Sequence, residues 1–329
     1  MSGVETRMVD ADEAGMRLDR WFKQHYPGLG FGALQKLLRT GQVRIDGGRA
    51  KPDARLAAGQ AIRVPPGAGE RRHVGPVTAG TIRDRTDGDA LASMLLYEDP
   101  EVFVLNKPAG LATQGGSGVV RHVDGMLEAW RNRRNEKPRL VHRLDRDTSG
   151  ALVVARTRRA AQALTAAFRR RDARKVYWAL VKGVPPRDEG RISNWLVKEQ
   201  TPDGDRMRVV PHGTPDADHA VSRWRVVEQA AQRLGWLELR PETGRTHQLR
   251  IHCSALGYPI IGDPKYFEAD QNWEFPGGIQ KRLHLHARRI SIPRDGLAPL
   301  DVAAPLPPHM RQSWNLLGFD DAMADGDDD

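Results

Sequence analysis

Apolar positions along the 329-residue chain repeat with two different periods. Near the front, Leu18, Trp21 and Phe22 fall on one side of a helix that opens at Met16-Arg17-Leu18 and ends at Pro27 and Gly28. A second helix runs from about Gly32 to Arg39, with Leu34, Leu37 and Leu38 at helical spacing. Gly41 stands where a C-terminal glycine cap belongs. Gln42-Val43-Arg44-Ile45-Asp46 alternates as a strand, Gly47-Gly48 turns, and Ala61-Ile62-Arg63-Val64 closes a small αβ module. Residues 1–66 therefore form one unit. Residues 67–90 lack apolar periodicity and read as a flexible linker.

From about Leu91 to residue 319 the pattern is strand-rich. Val102-Phe103-Val104-Leu105 and Ala151–Ala155 are short apolar runs. Thr157 caps a helix through about Arg171, whose buried stripe is Ala160, Ala161, Leu164, Ala167 and Phe168. Lys175–Val181, Trp236–Arg240, Gln248–Ile251 and Leu283–Ala287 all read as strands. Strands outnumber helices and do not alternate with them regularly. The expected class is α+β, with a mixed, largely antiparallel sheet and flanking helices.

Composition adds a partner. Lys and Arg exceed Asp and Glu by 9, and residues 15–66 alone hold ten basic and three acidic side chains. The last ten residues, 320–329, hold six Asp and no base, and read as a disordered acidic tail. A basic body favours a nucleic-acid partner over a membrane, since no apolar run approaches a membrane span and no basic amphipathic helix has a large aromatic face. One cysteine, Cys253, allows no intrachain disulfide and fits a cytoplasmic setting. The N-terminus lacks the basic-then-apolar order of a secretory signal.

The chemistry concentrates in His142-Arg143-Leu144-Asp145-Arg146-Asp147-Thr148-Ser149-Gly150. Asp145 sits between two arginines, which favour its charged form. An ionised, oriented carboxylate suits nucleophilic catalysis, though a salt-bridged loop would show the same charge pattern. Asp147, with Thr148 and Ser149, reads as a turn residue bonding nearby backbone N–H groups. Ser149 lacks the first glycine of a hydrolase elbow. His247, His252, Cys253, His284 and His286 fit no standard zinc spacing, so no metal is expected.

This nonapeptide resembles the signature of the RluA family of pseudouridine synthases. Four further segments agree in order: Val104–Gly110, Lys175–Val181, Thr243–His252 and Gly257–Asp263. The likeness covers about residues 90–300, and Gly115-Gly116-Ser117-Gly118 resembles the RluC-like branch in particular. The front module resembles an S4 RNA-binding domain through Arg17-Leu18-Asp19, Leu37–Gly41 and Val43–Gly47.

The resemblance implies a pseudouridine synthase fold and a cofactor-free isomerisation of uridine after the base has been flipped out of the RNA. It makes Asp145 the catalytic aspartate, attacking sugar or base or deprotonating the sugar. It makes Tyr177 the ring that stacks on uracil, with a hydroxyl able to move the proton lost from the base carbon. Arg245 becomes the arginine paired with Asp145, Leu249 an apolar wall, and Arg143 the side chain that enters the RNA stack, with His142 orienting it or touching phosphate. Lys107 pairs with phosphate or caps a strand end. Arg17, Lys36, Arg39 and Arg44 face RNA phosphates. The implied partner of a monomer is 23S ribosomal RNA or the pre-ribosomal large subunit. Other RNA targets, either the sites of an RluD-like enzyme or tRNA, and a silent RNA-binding assembly factor remain the alternatives. The loop around 199–216 is a candidate for altering the target.

Overall fold

A computed structural model describes residues 4–26, 29, 31–66, 82–116, 118–132, 135–201, 204–267 and 277–324. The chain divides into two compact units, Met1–Thr81 and Ile82–Asp329.

The first unit contains β1 (Glu5–Met8), α1 (Leu18–His25), α2 (Phe31–Arg39), β2 (Arg44–Ile45), β3 (Gly48–Arg49) and β4 (Ala61–Val64). Its sheet has the order β1-β4-β2-β3. Leu18, Trp21 and Phe22 of α1 pack with Leu34 and Leu38 of α2 against Val43, Ile62 and Val64, as the helical and strand spacings predict. The buried Glu13 carboxylate accepts a 2.8 Å bond from Trp21 Nε1, so the largest ring of this core is also polar-anchored. Gly41 adopts φ +69 after α2, a left-handed cap that costs glycine little. The residues expected to end α1, Pro27 and Gly28, lie outside the described residues.

The second unit runs α3 (Ile82–Ser93), β5 (Leu95–Glu98), β6 (Val102–Lys107), α4 (Val123–Met126), β7 (Arg139–Leu140), β8 (Ser149–Ala155), α5 (Arg158–Arg170), β9 (Arg174–Lys182), β10 (Glu189–Thr201), β11 (Gly204–Val210), β12 (Asp218–Ala230), β13 (Leu234–Pro241), α6 (Gln248–Ala255), β14 (Leu285–Ile292), β15 (Leu300–Ala303) and α7 (Pro308–Leu317). Its 11-stranded sheet has the order β11-β10-β12-β13-β9-β14-β8-β6-β5, with β15 on β14 and β7 on β8. Among the described strand pairs of this sheet, only β14–β8 is parallel. The α+β expectation, with a mixed and largely antiparallel sheet, is met.

Side-chain alternation splits β9 and β13 between two cores. Trp178, Leu180 and Trp236 point to one face, where α7 supplies Met310 and Trp314. Ala179, Val181, Leu237 and Leu239 point to the other, under Leu249 and Cys253 of α6. Helix α5 begins at the Thr157 cap, whose side chain accepts from Ala160 N, and ends at Arg171 with φ 67.

Three expectations need correction. Residues 248–251 form the start of α6 rather than a strand. Gln248 to Cys253 are all buried, so Leu249 and Ile251 alternate by accident within a helix enclosed on every side. The linker expected over 67–90 ends earlier, because α3 occupies 82–93; residues 67–81 lie outside the described residues. That helix is polar along most of its length, and among its described side chains Leu91 is the one fully buried apolar anchor, so no apolar stripe announces it. The stretch expected to be an acidic disordered tail is ordered at its start. Asp321–Met323 form a 3-10 turn, and Ala324 packs into the α7 core beside Phe319. Residues 325–329 lie outside the described residues.

One position constrains the whole sheet. Gly150 on β8 has φ +111, and a Cβ there would lie 2.2 Å from Ala287 O of β14. Gly150→Ala is therefore expected to lower unfolding stability by about 1–3 kcal/mol or more, read as a lower urea midpoint. An unchanged midpoint would contradict the close approach.

Candidate active site

The segment 141–148 is a loop between β7 and β8, held at four points. Leu144 N donates to Thr113 Oγ1 (3.2 Å), which donates in turn to Leu144 O (2.7 Å). Gly110 N donates to Arg146 O at 2.9 Å, and Arg146 Nε returns a 3.2 Å bond to Gly110 O. Val153 N donates to His142 Nε2 at 2.8 Å, and the His142 ring stacks on Phe168. Ser149, at the end of the loop, donates to His286 Nδ1 (2.9 Å), because His286 Nε2 is already donating to Ala304 O (3.1 Å). A loop braced this heavily holds Asp145 in a fixed place.

Asp145 is half-buried and lines a cleft of about 700 Å³. Among the described residues its carboxylate makes no hydrogen bond or ion pair. Its charge acts instead on four neighbours: Tyr177, Lys107, His247 and Arg250. Tyr177 and Leu249 line the same cleft, as do Arg143 and Arg245. Burial first, and then Asp145, push the Tyr177 phenol up, so its hydroxyl keeps its proton and is available as a hydrogen-bond donor. Arg143 is exposed at the rim, with no hydrogen bond or ion pair among the described residues.

The expected Arg245–Asp145 pair is absent. Arg245 sits 3.3 Å from Asp218 and donates through Nε to His219 O. The buried cation of this motif is Arg250, which forms a two-pronged pair with Asp263 at 2.8 and 2.6 Å. The two side chains are only 3% and 0% exposed. Burial alone would lower Arg250, but Asp263, and more weakly Asp145, raise it. Arg250 had a readable sign: it lies between Leu249 and Ile251, and a charge inside a buried apolar run needs a partner. Asp263 also accepts from Lys265 N and Tyr266 N, which leaves it no freedom.

The preceding turn is ordered the same way. Gln248 Oε1 accepts from Thr243 Oγ1 and Arg245 N, while its Nε2 donates to Val221 O and Ser222 Oγ. These bonds tie the 241–248 wall of the cleft to β12.

Lys107 and His142, for which phosphate was one of two readings, act as internal braces. Lys107 is 0% exposed and donates to Pro108 O, Leu111 O and Arg146 O. It caps the end of β6 and clamps the loop; burial pushes its ammonium down to about 7, opposed by Asp147 and Asp145. The His142 Nε2 receives the Val153 amide, so that nitrogen is not open to phosphate. Among the described residues the Asp147 side chain makes no backbone bond; the turn is closed by Thr148 N to Asp145 O at 3.2 Å.

In the first unit, Lys36 and Arg39 are exposed on α2. Arg17 is held by both oxygens of Asp19, and Arg44 donates to Gly41 O and Gly47 O. The loop around 199–216 is largely the β10–β11 hairpin, with Asp205 and Arg206 in β11, and residues 202 and 203 lie outside the described residues. Ser117 of the 115–118 run does so as well.

Residues 101–255 match the family model described as RNA pseudouridylate synthase. The chain is 35% identical to ribosomal large subunit pseudouridine synthase C of Escherichia coli K12 over 92% of its own length and 93% of that protein. It is 34% identical to mitochondrial RNA pseudouridine synthase 4 of Arabidopsis thaliana, over 91% of its own length and 78% of that protein. The solved human RNA pseudouridylate synthase domain containing 4 superposes with a TM-score of 0.59 at 29% identity, covering 72% of this chain and 97% of that one. The chain belongs to the RNA pseudouridine synthase family, within its RluA group.

Burial also sets a pH dependence. It holds His142 at about 3 and His252, His284 and His286 at about 4, all neutral in the folded state. Unfolded, each takes a proton near its ordinary 6.5. The unfolded chain thus binds more protons below pH 6.5, and stability falls as pH drops from 6.5 toward 4. Urea midpoints measured from pH 7 to pH 5 are expected to fall steadily; a flat profile would contradict the neutral, buried histidines.

Proposed function

We propose that the protein converts a uridine of large-subunit ribosomal RNA to pseudouridine at the Asp145 cleft. The observation that carries this reading is a fixed carboxylate with no partner of its own, beside a protonated tyrosine and under an arginine rim. A carboxylate paired to Arg250 or Arg245 would have to break that pair before reacting; Asp145 does not.

The reaction is balanced within the substrate. The bond from the ribose carbon to the ring nitrogen breaks, the uracil turns, and the ribose bonds to a ring carbon. The proton on that carbon leaves and the freed nitrogen gains one. No water enters and no group departs, so the acid–nucleophile pair of carboxylates that glycoside hydrolysis uses is not required. Asp145 attacks the sugar or base or deprotonates the sugar. Tyr177 supplies a ring for the uracil to stack on and Leu249 an apolar wall. A paired base cannot reach this depth, so it is extruded at a cost of a few kcal/mol. Arg143, unpaired at the rim, is placed to stack in the vacated position through its planar guanidinium.

Two features favour ribosomal RNA. The likeness to the Escherichia coli synthase extends over nearly the full length of both chains. The N-terminal unit carries Lys36 and Arg39 exposed on one helix, as an RNA-backbone contact would need. We assign that unit an S4-like RNA-binding role, with Arg17 and Arg44 held in place by Asp19 and by backbone carbonyls.

Asp145→Asn is expected to abolish pseudouridine formation in a transcript of large-subunit rRNA while RNA binding persists. Substantial turnover by the variant would remove Asp145 from the chemistry. Lys36→Ala and Arg39→Ala are each expected to weaken RNA binding and to reduce the slope of log affinity against log salt by about 1. An unchanged slope would count against the RNA-binding role of the N-terminal unit.

A further inference from the structure

The sheet extends well beyond the cleft on β10, β11 and β12, and its two faces differ. Leu196, Met207 and Ala220 pack with Ile251 of α6 on one face. On the opposite face the register sets Trp195 across from His219 and Arg191 across from Arg223. Trp195 stacks on His219, with ring centres 5.0 Å apart, and meets His212 at 4.7 Å. Ser193 Oγ and His219 Nε2 are 2.8 Å apart, which fixes the imidazole plane. Trp195 and His219 are half-buried and His212 is exposed, so the stack ends in open solvent.

This face is joined to the cleft rim. Glu242, which lines the cleft, holds Arg223 at 2.9 Å and Arg191 at 3.5 Å. Two guanidiniums on one carboxylate leave net positive charge beside the rings. Arg245, also in the cleft wall, donates to the His219 carbonyl. A polyanion leaving the cleft over Glu242 thus meets cations first and then a stack of rings. Sequence-tolerant binding of single-stranded nucleic acid combines these two elements: backbone charge neutralisation and aromatic faces for the bases. Flipping the target uridine also unstacks its neighbours, which supplies bases in need of a new stacking partner. No comparable need for a half-exposed ring stack arises from the hydrophobic core, which lies on the other face.

We propose that Trp195, His212 and His219 form a stacking platform for an unpaired nucleotide of the substrate RNA, adjoining the uridine delivered to Asp145. The proposal rests on the synthase reading and adds a second binding element to it.

The test uses the full chain with a transcript of large-subunit rRNA, comparing wild type, Trp195→Ala, Trp195→Phe and His212→Ala. Trp195→Ala is expected to weaken transcript binding by about 5- to 150-fold, the range for losing one base–aromatic stack. The RNA concentration giving half the maximal single-turnover rate should rise by the same factor, with the rate at saturation retained. Trp195→Phe should stay within a few-fold of wild type. His212→Ala alters an exposed ring and should weaken binding in the same direction, which keeps the question answerable if Trp195→Ala fails to fold. Binding by Trp195→Ala and His212→Ala equal to wild type, or equal losses from Trp195→Phe and Trp195→Ala, would overturn the platform. If the wild type forms no pseudouridine but Trp195→Ala still loses affinity, the synthase reading fails and the RNA contact stands. If turnover is normal and affinity unchanged, the platform alone fails.

Discussion

Strand β8 can lie alongside β14 only where Gly150 leaves room for the Ala287 backbone, and the site is assembled from that contact outward. Ala287 is paired on its other side with Tyr177 of β9, and Tyr177 with Leu239 of β13. Gly150, Ala287, Tyr177 and Leu239 therefore form one row across the sheet. The loop that carries Asp145 enters this row at Gly150, while the tyrosine ring stands two strands away. A side chain at residue 150 would push β8 off β14 and separate the carboxylate from the ring. The one parallel strand pair among those described in this sheet thus falls where the chemistry is built.

The second organising principle is the disposition of charge. Three cations around the cleft are each held by something other than Asp145. Arg250 is bound to Asp263, Lys107 to three carbonyl oxygens, and Arg245 to Asp218. Burying Arg250 and Lys107 is costly unless they are paired, so their partners are required for stability. Their effect on function is to leave the reactive carboxylate oriented but unengaged, with positive potential nearby. Arg143 at the rim is likewise unengaged, which suits a side chain meant for the substrate. The same economy of pairing appears at Glu242, where one acid holds two arginines beside the Trp195 stack.

Much of this was legible in the sequence. The apolar runs of β6 and β8, the Thr157-capped helix and the αβ front module all carried their own periodicity, and Asp145, Tyr177 and Leu249 do meet in one cleft. The errors share a cause: periodicity disappears when a segment is buried on all sides or on almost none. Helix α6 is enclosed and looks like a strand; α3 has one anchor and looks like a linker. Choosing between Arg245 and Arg250 required knowing which one the fold buries, and neighbouring positions of one motif differ completely in that respect. Lys107 and His142 each had two readings, with phosphate as one of them because their types suit it. Their hydrogen bonds to Arg146 O and Val153 N depend on segments far away in sequence, which no local pattern reports.

The central claim is that this carboxylate, in this cleft, isomerises a uridine of large-subunit rRNA. Nucleotide-resolution mapping of pseudouridine in rRNA from cells with and without the gene tests it most directly. One or a few large-subunit positions are expected to lose the modification when the gene is removed and to regain it when the intact gene is restored. An unchanged map of the large subunit, with the lost modification found in another RNA or nowhere, would contradict it.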